Sequence, residues 1–308
     1  MFSVIFPGQG SQIVGMGKEL YDKYDLVKNL FDKADDALNY SISKIILEGP
    51  KEELDLTANT QPAIYLISYS IFNLAKKEFN LDLNKAKYFA GHSLGEYSAL
   101  SCAGYLDFSD TLKILRIRGD AMQNSVPKGQ GGMVAVLGST VDEIERILME
   151  NKENLKAQIA NDNSEGQIVL SGKTKDLEQL IQIFKTNSIK NIKLPVSAPF
   201  HCELMRDATI KMEKIIQNQK FNFPKFKVIS NVTAKDYKET EEIKKLLIKQ
   251  IESPVRWRES IEYMISQGSS SFIEIGPGKV LSGLIKRINK EVKVLNIDRL
   301  EDIQDIKL

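Results

Sequence analysis

The sequence predicts an α/β protein whose mainly parallel sheet is covered by helices on both faces. Short apolar runs typical of buried strands alternate with longer segments of helical periodicity. The 308 residues are enough for two domains at about 150 residues each. Apolar residues make up 42% of the chain and charged residues 27%, which is the composition of a folded globular protein rather than of a disordered one.

The first 128 residues predict two strands that each end at a sharp turn, with helices between and after them. The first strand stops at Pro7-Gly8-Gln9-Gly10, since proline and glycine end such runs. Thr60-Gln61-Pro62 is typical of a helix start, where proline is tolerated in the first turn. In order, we predict a strand at 2–6, a helical region at 18–56, a helix from Thr60-Gln61-Pro62, a strand at 87–90 and a helix at 96–103.

A glycine-rich hinge, Gly129-Gln130-Gly131-Gly132, opens a segment with its own regular order of elements. We predict a strand at 133–137, a helix at 141–151, strands at 156–160 and 167–171, a helix at 175–186 and a strand at 190–194. This β-α-β-β-α-β order is that of the ferredoxin-like unit. Residues 129–196 are therefore predicted to be a ferredoxin-like small subdomain, inserted into an α/β core of residues 1–128 and 197–308. Asn161-Asp162-Asn163-Ser164 is predicted as a loop, with no role assigned.

The rest of the chain resumes the alternation of strands and helices. We predict a strand at 226–230, helices at 241–251 and 256–267, a strand at 272–275, a helix at 279–287 and a strand at 292–297. The strand at 272–275 stops at Gly276-Pro277-Gly278. Helices that connect successive strands in this way cross over the faces of a parallel sheet.

Charge, hydropathy and cysteine content exclude several classes of protein. Lys and Arg total 42 against 41 Asp and Glu, which argues against a protein that mainly binds nucleic acid or an anionic membrane. The sequence has no signal-peptide pattern and no apolar run approaching about 18 residues, so we expect a cytoplasmic protein without a membrane span. Cys102 and Cys202 lack metal-ligand spacing, so we expect buried free thiols and no metal.

Gly91-His92-Ser93-Leu94-Gly95 fits the G-x-S-x-G pattern of a serine nucleophile. A predicted strand precedes the pattern and a predicted helix follows it, which is the setting that the pattern requires. The turn projects the hydroxyl beside a helix N-terminus, where backbone N–H groups can hold an oxyanion. We therefore predict Ser93 as a nucleophile, against the alternative of a chance match in a loop.

A serine nucleophile needs a base, and the chain holds only two histidines, His92 and His201. Successive residues on a sharp turn point apart, so His92 is a weak candidate and is expected to pack against the core or a loop. His201 follows the predicted insert at a proline-containing turn, a location that suits a base delivered across a cleft. The alternative for His201 is a structural histidine whose hydrogen bonds are satisfied.

Two further features suit a serine enzyme with an acidic substrate. Gly8-Gln9-Gly10 lacks the lysine and following Ser or Thr of a phosphate loop, so an oxyanion donor is the better interpretation. Arg116 and Arg118 lie on a helical stretch, and one of them could hold a substrate carboxylate by a bidentate pair. For either arginine the alternative is a solvated face or a salt bridge.

Together the motifs resemble one enzyme family from residue 2 to about residue 299. They are Phe6-Pro7-Gly8-Gln9-Gly10-Ser11-Gln12, Gly91-His92-Ser93-Leu94-Gly95-Glu96-Tyr97, Arg118-Gly119, Met122-Gln123, Pro199-Phe200-His201 and Glu274-Ile275-Gly276-Pro277-Gly278. The set closely resembles the malonyl-CoA:acyl carrier protein transacylases of type II fatty acid synthesis. The resemblance implies that family's fold, a hydrolase-like α/β core with a ferredoxin-like insert.

The resemblance also implies roles for individual residues. Ser93 is expected to become malonylated, with His201 as general base and acid. The backbone N–H groups of Gln9 and Leu94 are expected to form the oxyanion hole. Arg118 is expected to pair with the malonyl carboxylate.

Gln250, four residues before Pro254, resembles the family residue whose backbone carbonyl orients the histidine. The implied reaction is ping-pong acyl transfer, in which the serine takes malonyl from malonyl-CoA and passes it to the phosphopantetheine thiol of holo-acyl carrier protein. No metal or bound cofactor is implied. We expect a monomer whose partners are malonyl-CoA and acyl carrier protein, with no nucleic acid and no membrane.

Two other functions stay open at this point. A serine esterase would release free acid whether or not a thiol acceptor is present, and a carrier-binding scaffold would not acylate Ser93 at all. The sequence does not separate fatty acid from polyketide synthesis. A basic C-terminal stretch is a candidate docking face for the acidic carrier protein, with a solvated lysine face as the alternative. Its residues are Lys279, Lys286, Arg287, Lys290 and Lys293.

Overall fold

The computed structural model describes residues 1–196 and 198–306, which form two sheets with helices around them. The strands are β1 (Phe2–Phe6), β2 (Phe89–Gly91), β3 (Gly131–Leu137), β4 (Ala157–Ser164), β5 (Gln167–Lys173), β6 (Lys190–Lys193), β7 (Val255–Arg256), β8 (Ser271–Ile275) and β9 (Lys293–Ile297). One sheet is parallel throughout, in the order β2-β1-β8-β9. Val4, Ile5 and Phe6 of β1 have no exposed surface, because a parallel sheet is buried on both faces.

One helix, α5, is buried along most of its length. The helices are α1 (Lys18–Lys23), α2 (Asp25–Leu38), α3 (Ile42–Glu48), α4 (Lys51–Leu54), α5 (Thr57–Lys77), α6 (Leu94–Cys102), α7 (Phe108–Asn124), α8 (Val141–Glu150), α9 (Thr174–Thr186), α10 (Arg206–Asn218), α11 (Thr240–Gln250), α12 (Trp257–Ser266), α13 (Val280–Ile288) and α14 (Leu300–Asp305). Among the described residues, none of these helices is long and apolar enough to cross a bilayer. α5 packs against α6, which begins directly after Ser93, and against α7, which carries Arg118, so α5 supports both residues.

The second sheet has the order β6-β3-β5-β4-β7. The first four of these strands are antiparallel to their neighbours, and α8 and α9 cover one face with a separate apolar core that includes Val136, Ile144, Leu170, Leu180 and Phe184. β7 comes from much later in the chain and pairs in parallel with β4. The second sheet is therefore completed by a strand that is distant in sequence.

A buried ion pair strengthens the junction between β4 and the segment after β7. The side chain of Asp162 in β4 is 7% exposed, and Arg258 donates to both of its carboxylate oxygens at 2.8–3.1 Å. Farther along, Arg287 of α13 donates to the Gln167 side chain of β5 at 2.6 Å. Polar contacts thus join the second sheet to α12 and α13.

The structure corrects three predicted elements. The stretch 161–164, predicted as a loop, is the second half of β4, because pairing with β5 and β7 overrides the turn preference of Asn and Asp. The strand predicted at 226–230 is reduced to isolated bridges, in which Val228 pairs with Phe89 of β2 and Ile229 pairs with Asp236, because the chain turns back on itself after Ser230. α5 begins at Thr57 rather than at Thr60, which places Pro62 inside the helix.

Two further expectations concern the cysteines and the start of the second core segment. Cys202 is buried as expected, but Cys102 is only partly buried, and neither cysteine forms a disulfide. The predicted return to the core begins at Ser197, which lies outside the described residues, as do residues 307 and 308.

Close backbone contacts explain the glycines on either side of Ser93. A Cβ on Gly91 would lie 1.9 Å from the Gly95 carbonyl oxygen, and a Cβ on Gly95 would lie 2.4 Å from the Phe6 carbonyl oxygen. Only glycine allows α6 to approach β1 and β2 this closely. The turn that carries Ser93 is therefore wedged against the ends of two strands.

Gly95→Ala should destabilise the protein by about 1–3 kcal/mol, because backbone atoms of β1 must move to admit the methyl group. Gly283→Ala is the matched control: its Cβ would meet nothing within 4 Å, and alanine is favoured in a helix by up to about 1 kcal/mol. Urea unfolding measures both free energies. Equal changes in the free energy of unfolding for Gly95→Ala and Gly283→Ala would show that the approach of α6 to β1 is not tight.

Candidate active site

Ser93 occupies the turn between β2 and α6 and has a strained backbone. Its φ of 55° and ψ of −110° are rarely adopted by residues with a Cβ. Asn231 ties the turn in place, because its Oδ1 accepts from the Ser93 N–H at 2.8 Å and its Nδ2 donates to the Gly91 carbonyl oxygen at 2.8 Å. One side chain therefore holds the backbone on both sides of the turn.

His201 and Ser93 form a hydrogen-bonded pair. His201 Nε2 lies 2.8 Å from Ser93 Oγ, and Nδ1 lies 2.9 Å from the backbone carbonyl oxygen of Gln250. Because a carbonyl oxygen only accepts, Nδ1 carries the proton of the neutral ring and Nε2 offers its lone pair to the hydroxyl. This arrangement can take the serine proton during nucleophilic attack.

Burial keeps His201 in the neutral form. The residue is 3% exposed, and burial, followed by the positive charge of Arg118, lowers the pKa of His201 to about 3. At neutral pH the ring is therefore a free base that needs no prior loss of a proton.

His92 lies in a different environment. Its Nε2 is 2.9 Å from Asn163 Oδ1 of β4, and its ring is 5.8 Å from the Trp257 ring. Burial lowers the pKa of His92 as well. The side chain is packed between β4 and α12, and the described contact of Ser93 Oγ with an imidazole is to His201.

Arg118 of α7 is buried beside Ser93 without an acidic partner. The residue is 1% exposed. Its Nη1 donates to Gln61 Oε1 at 2.8 Å, and its Nη2 donates to Gln250 Oε1 at 2.8 Å and to Ser93 Oγ at 3.2 Å. Over residues 1–196 and 198–306 the guanidinium forms no ion pair within 4.0 Å, and Nε has no hydrogen-bond partner. A buried cation of this kind is suited to bind an anionic group of a substrate.

The other candidate arginine, Arg116, has different surroundings. It donates to the Asn59 side chain, and its guanidinium lies 4.7 Å from the centroid of the Tyr40 ring. Gly119 lets the α7 backbone approach α5, since a Cβ there would lie 2.4 Å from the Thr57 carbonyl oxygen. Arg116 is thus held by contacts with Asn59 and Tyr40, whereas Arg118 lies beside Ser93.

The backbone N–H groups of Gln9 and Leu94 are candidates for an oxyanion hole. Leu94 is the first residue of α6, where helix N–H groups lack partners within the helix. The loop of Gln9 touches the Ser93 turn, because a Cβ on Gly8 would lie 2.7 Å from the His92 carbonyl oxygen. Within the described chain neither N–H has a backbone acceptor. Both can therefore donate to a charge that develops near Ser93.

Sequence reasoning missed a buried polar network behind Ser93. Glu96 is fully buried and accepts from Gln250 Nε2 at 2.7 Å, from Asn231 N at 3.1 Å and from the Tyr237 hydroxyl. Burial raises the pKa of Glu96 to about 7, although the hydrogen bonds oppose this shift. Glu96 is the only charged residue of α6, which was a signal available in the sequence. Nothing in the sequence around Asn231 or Tyr237 points to the site.

Comparison with known proteins identifies the family. The acyl transferase domain family matches residues 3–304. The chain belongs to this family. The malonyl CoA-acyl carrier protein transacylase of Bacillus subtilis (strain 168) is 43% identical to this acyl transferase domain over 302 residues, which cover 97% of this chain and 94% of that protein.

Solved structures agree with this assignment. The acyl-carrier-protein-S-malonyltransferase from Bartonella henselae has a TM-score of 0.95 and 42% identity, and the match covers 98% of this chain and 97% of that chain. A complex of a type II PKS acyl-carrier protein with its malonyl-transacylase has a TM-score of 0.94 and 36% identity, over 98% of this chain and 97% of that one. This acyl transferase domain therefore has the α/β fold of solved malonyltransferases.

Arg118→Ala should raise the pKa of His201 and leave that of His92 unchanged, because the guanidinium charge lowers only the former. An NMR titration of the ring nitrogens from about pH 8 to about pH 4 measures both residues in one sample. In the wild type His201 should stay neutral down to the low end of this range, since its pKa is about 3, whereas in Arg118→Ala its ionisation should begin at a higher pH. A His201 midpoint near the ordinary value of about 6.5 would contradict the effect of burial.

Proposed function

We propose that this protein transfers a malonyl group from malonyl-CoA to the phosphopantetheine thiol of acyl carrier protein, through a malonyl-Ser93 intermediate. The observation that carries the proposal is the position of Ser93 Oγ, 2.8 Å from His201 Nε2 and 3.2 Å from Arg118 Nη2. A base and a buried cation thus meet at one hydroxyl. The names of the relatives in Bacillus subtilis and Bartonella henselae support the choice of malonyl as acyl group.

In the first half-reaction Ser93 Oγ attacks the thioester carbonyl carbon while its proton moves to His201 Nε2. The Nδ1–H bond to the Gln250 carbonyl stabilises the imidazolium that forms. The N–H groups of Gln9 and Leu94 hold the carbonyl oxygen as it becomes negative. When the C–S bond breaks, His201 returns the proton to the sulfur of coenzyme A.

The second half-reaction runs the same steps with a different thiol. The phosphopantetheine thiol of the carrier gives its proton to His201 and attacks the malonyl-Ser93 carbonyl. The C–O bond to Ser93 then breaks, and the serine oxygen regains a proton from His201. All proton transfers use one imidazole, so the proposed reaction needs malonyl-CoA and holo-acyl carrier protein but no cofactor.

Arg118 gives the site its preference for an acyl group that ends in a carboxylate. Its Nε has no partner in the described residues, and its Nη2 lies next to the reacting oxygen. A malonyl carboxylate would pair with this buried charge, whereas an acetyl group would leave it without a counter-ion. The same charge argues against an esterase of simple uncharged esters, because such an ester offers no anion for it.

The proposal extends to architecture and location. Residues 1–128 and 197–308 are assigned to a hydrolase-like core and residues 129–196 to a ferredoxin-like subdomain. The strand order β6-β3-β5-β4 with antiparallel neighbours supports the second assignment, and the parallel four-stranded sheet supports the first. The enzyme acts as a monomer in the cytoplasm, where malonyl-CoA and the carrier protein are its partners.

Intact mass after mixing with malonyl-CoA should show a malonyl adduct on the wild type and none on Ser93→Ala. In Arg118→Ala the ratio of malonyl to acetyl adduct formation should fall by about tenfold or more, since hydrogen bonds to a charged group are worth about 1.5–3 kcal/mol. Arg116→Ala, on the same helix, is the matched control and should keep the preference. Free malonate without an adduct would favour the esterase, and no adduct with no product would favour the scaffold.

The carrier-docking face is proposed at the C-terminal basic stretch. Its five basic residues are exposed, and Arg287 already reaches the second sheet through Gln167. An acidic carrier protein would meet complementary charge at this face, next to both sheets. The residues are Lys279, Lys286, Arg287, Lys290 and Lys293.

The double substitution Lys286→Glu and Arg287→Glu should lower kcat/KM for the carrier protein by about tenfold at low salt, with a smaller effect at high salt. Lys33→Glu with Lys77→Glu is the control, because these exposed lysines line a groove that contains none of the site residues. An unchanged kcat/KM for the carrier would remove this face from the proposal. An equal loss in acylation by malonyl-CoA would assign the face to coenzyme A instead.

A further inference from the structure

The side chain of Gln250 lies between the buried carboxylate of Glu96 and the buried guanidinium of Arg118. Its Oε1 accepts from Arg118 Nη2 at 2.8 Å. Its Nε2 donates to Glu96 Oε2 at 2.7 Å and to the Ser93 carbonyl oxygen at 3.1 Å. Gln250 has no exposed surface, so water does not compete for these bonds.

The direction of the Gln250 amide depends on what faces each end. The two ends of an amide have nearly the same shape, and only their partners determine which is the donor. An ionised Glu96 and the Ser93 carbonyl oxygen can only accept, and Arg118 can only donate, so all three partners favour the same direction of the amide. Glu96 supplies the charged partner, at 2.7 Å, on the Nε2 side. A reversed amide would place an NH2 group against the guanidinium and an oxygen against the carboxylate, which loses both bonds and adds two repulsive contacts.

Glu96 is itself held in position. The Tyr237 hydroxyl donates to Oε1 and the Asn231 N–H donates to Oε2 at 3.1 Å. Both partners come from the segment that follows the bridge at Ile229. The carboxylate therefore has a defined orientation and is not free to follow a displaced Gln250.

From this geometry we infer that Glu96 is a positioning residue which, by fixing the amide of Gln250, holds the Arg118 guanidinium in the orientation that selects a malonyl group. The inference rests on the proposed function of Arg118. Gln61 and Gln250 each supply one neutral acceptor, which fixes the plane of the guanidinium without neutralising its charge. Loss of the Glu96 carboxylate would weaken the hold on the Gln250 amide, which is one of these two acceptors.

The test compares single-turnover acylation of Ser93 by malonyl-CoA and by acetyl-CoA at about pH 8, where Glu96 is ionised. Glu96→Gln keeps the shape of the side chain but removes its charge and can donate as well as accept, so the charge-assisted bond that anchors Gln250 Nε2 is lost. We expect the malonyl-CoA concentration that gives half the maximal acylation rate to rise by about tenfold, with little change in the rate of acylation by acetyl-CoA. Glu96→Asp, which keeps the charge but withdraws it from Gln250, should show the same loss.

Two controls separate positioning from a general loss of structure. Tyr237→Phe removes a donor to the same carboxylate without touching Gln250, and should keep the malonyl preference within about twofold of the wild type. In an Arg118→Ala background, Glu96→Gln should leave the remaining malonyl to acetyl ratio unchanged, because the two residues act through one contact. Circular dichroism confirms that each variant is folded.

The outcomes distinguish the inference from the proposed function. A wild type without a malonyl adduct, or without malonyl preference, would overturn the proposed function. A selective wild type with an equally selective Glu96→Gln would overturn only the role of Glu96. An equal slowing with both acyl donors, or a further loss of selectivity in the Arg118→Ala background, would show that Glu96 acts on the fold rather than on Arg118.

Discussion

A buried guanidinium with no counter-ion in direct contact among the described residues determines how the rest of the site is built. Removing Arg118 from water carries a large desolvation penalty that only close polar partners can offset. Gln61 and Gln250 supply neutral oxygens, and the Tyr97 ring lies 5.5 Å from the guanidinium carbon. None of these partners cancels the charge. The same charge contributes to the low pKa of His201, so one residue favours an anionic substrate and a neutral base together.

This constraint also explains why a carbonyl supports the histidine. Nδ1 of His201 needs an acceptor that fixes its tautomer, and a carboxylate is the usual choice in serine enzymes. Here the acceptor is the backbone carbonyl oxygen of Gln250, the residue whose side-chain Oε1 also accepts from Arg118. The backbone carbonyl orients the ring without adding a charge. The Ser-His pair and the buried arginine are thus compatible because the third group is neutral.

How far the sequence predicts this molecule depends on the range of the interactions. The family resemblance is confirmed, and the regular elements are found near their expected positions because hydrophobic periodicity and Gly or Pro turns are local signals. Ser93 was visible for the same reason, since its turn is encoded within five residues. Asn231 and Tyr237 were not, because their importance lies in hydrogen bonds to residues more than a hundred positions away. The buried Asn and Asp side chains at the end of β4 were predicted as a loop because their partners, such as Arg258, are also distant.

The origin of the Ser93 partners has a consequence for how the enzyme is made. His201, Asn231 and Gln250 follow Ser93 by 108, 138 and 157 positions, and β3 to β6 of the second sheet lie between Ser93 and His201 in the chain. Contacts of such sequence separation form late, because long loops must close before the contacts stabilise anything. When the chain emerges from the ribosome, Ser93 therefore appears well before His201, Asn231 and Gln250 have been synthesised. The hydrogen-bonded surroundings of Ser93 are complete only when nearly the whole polypeptide has folded.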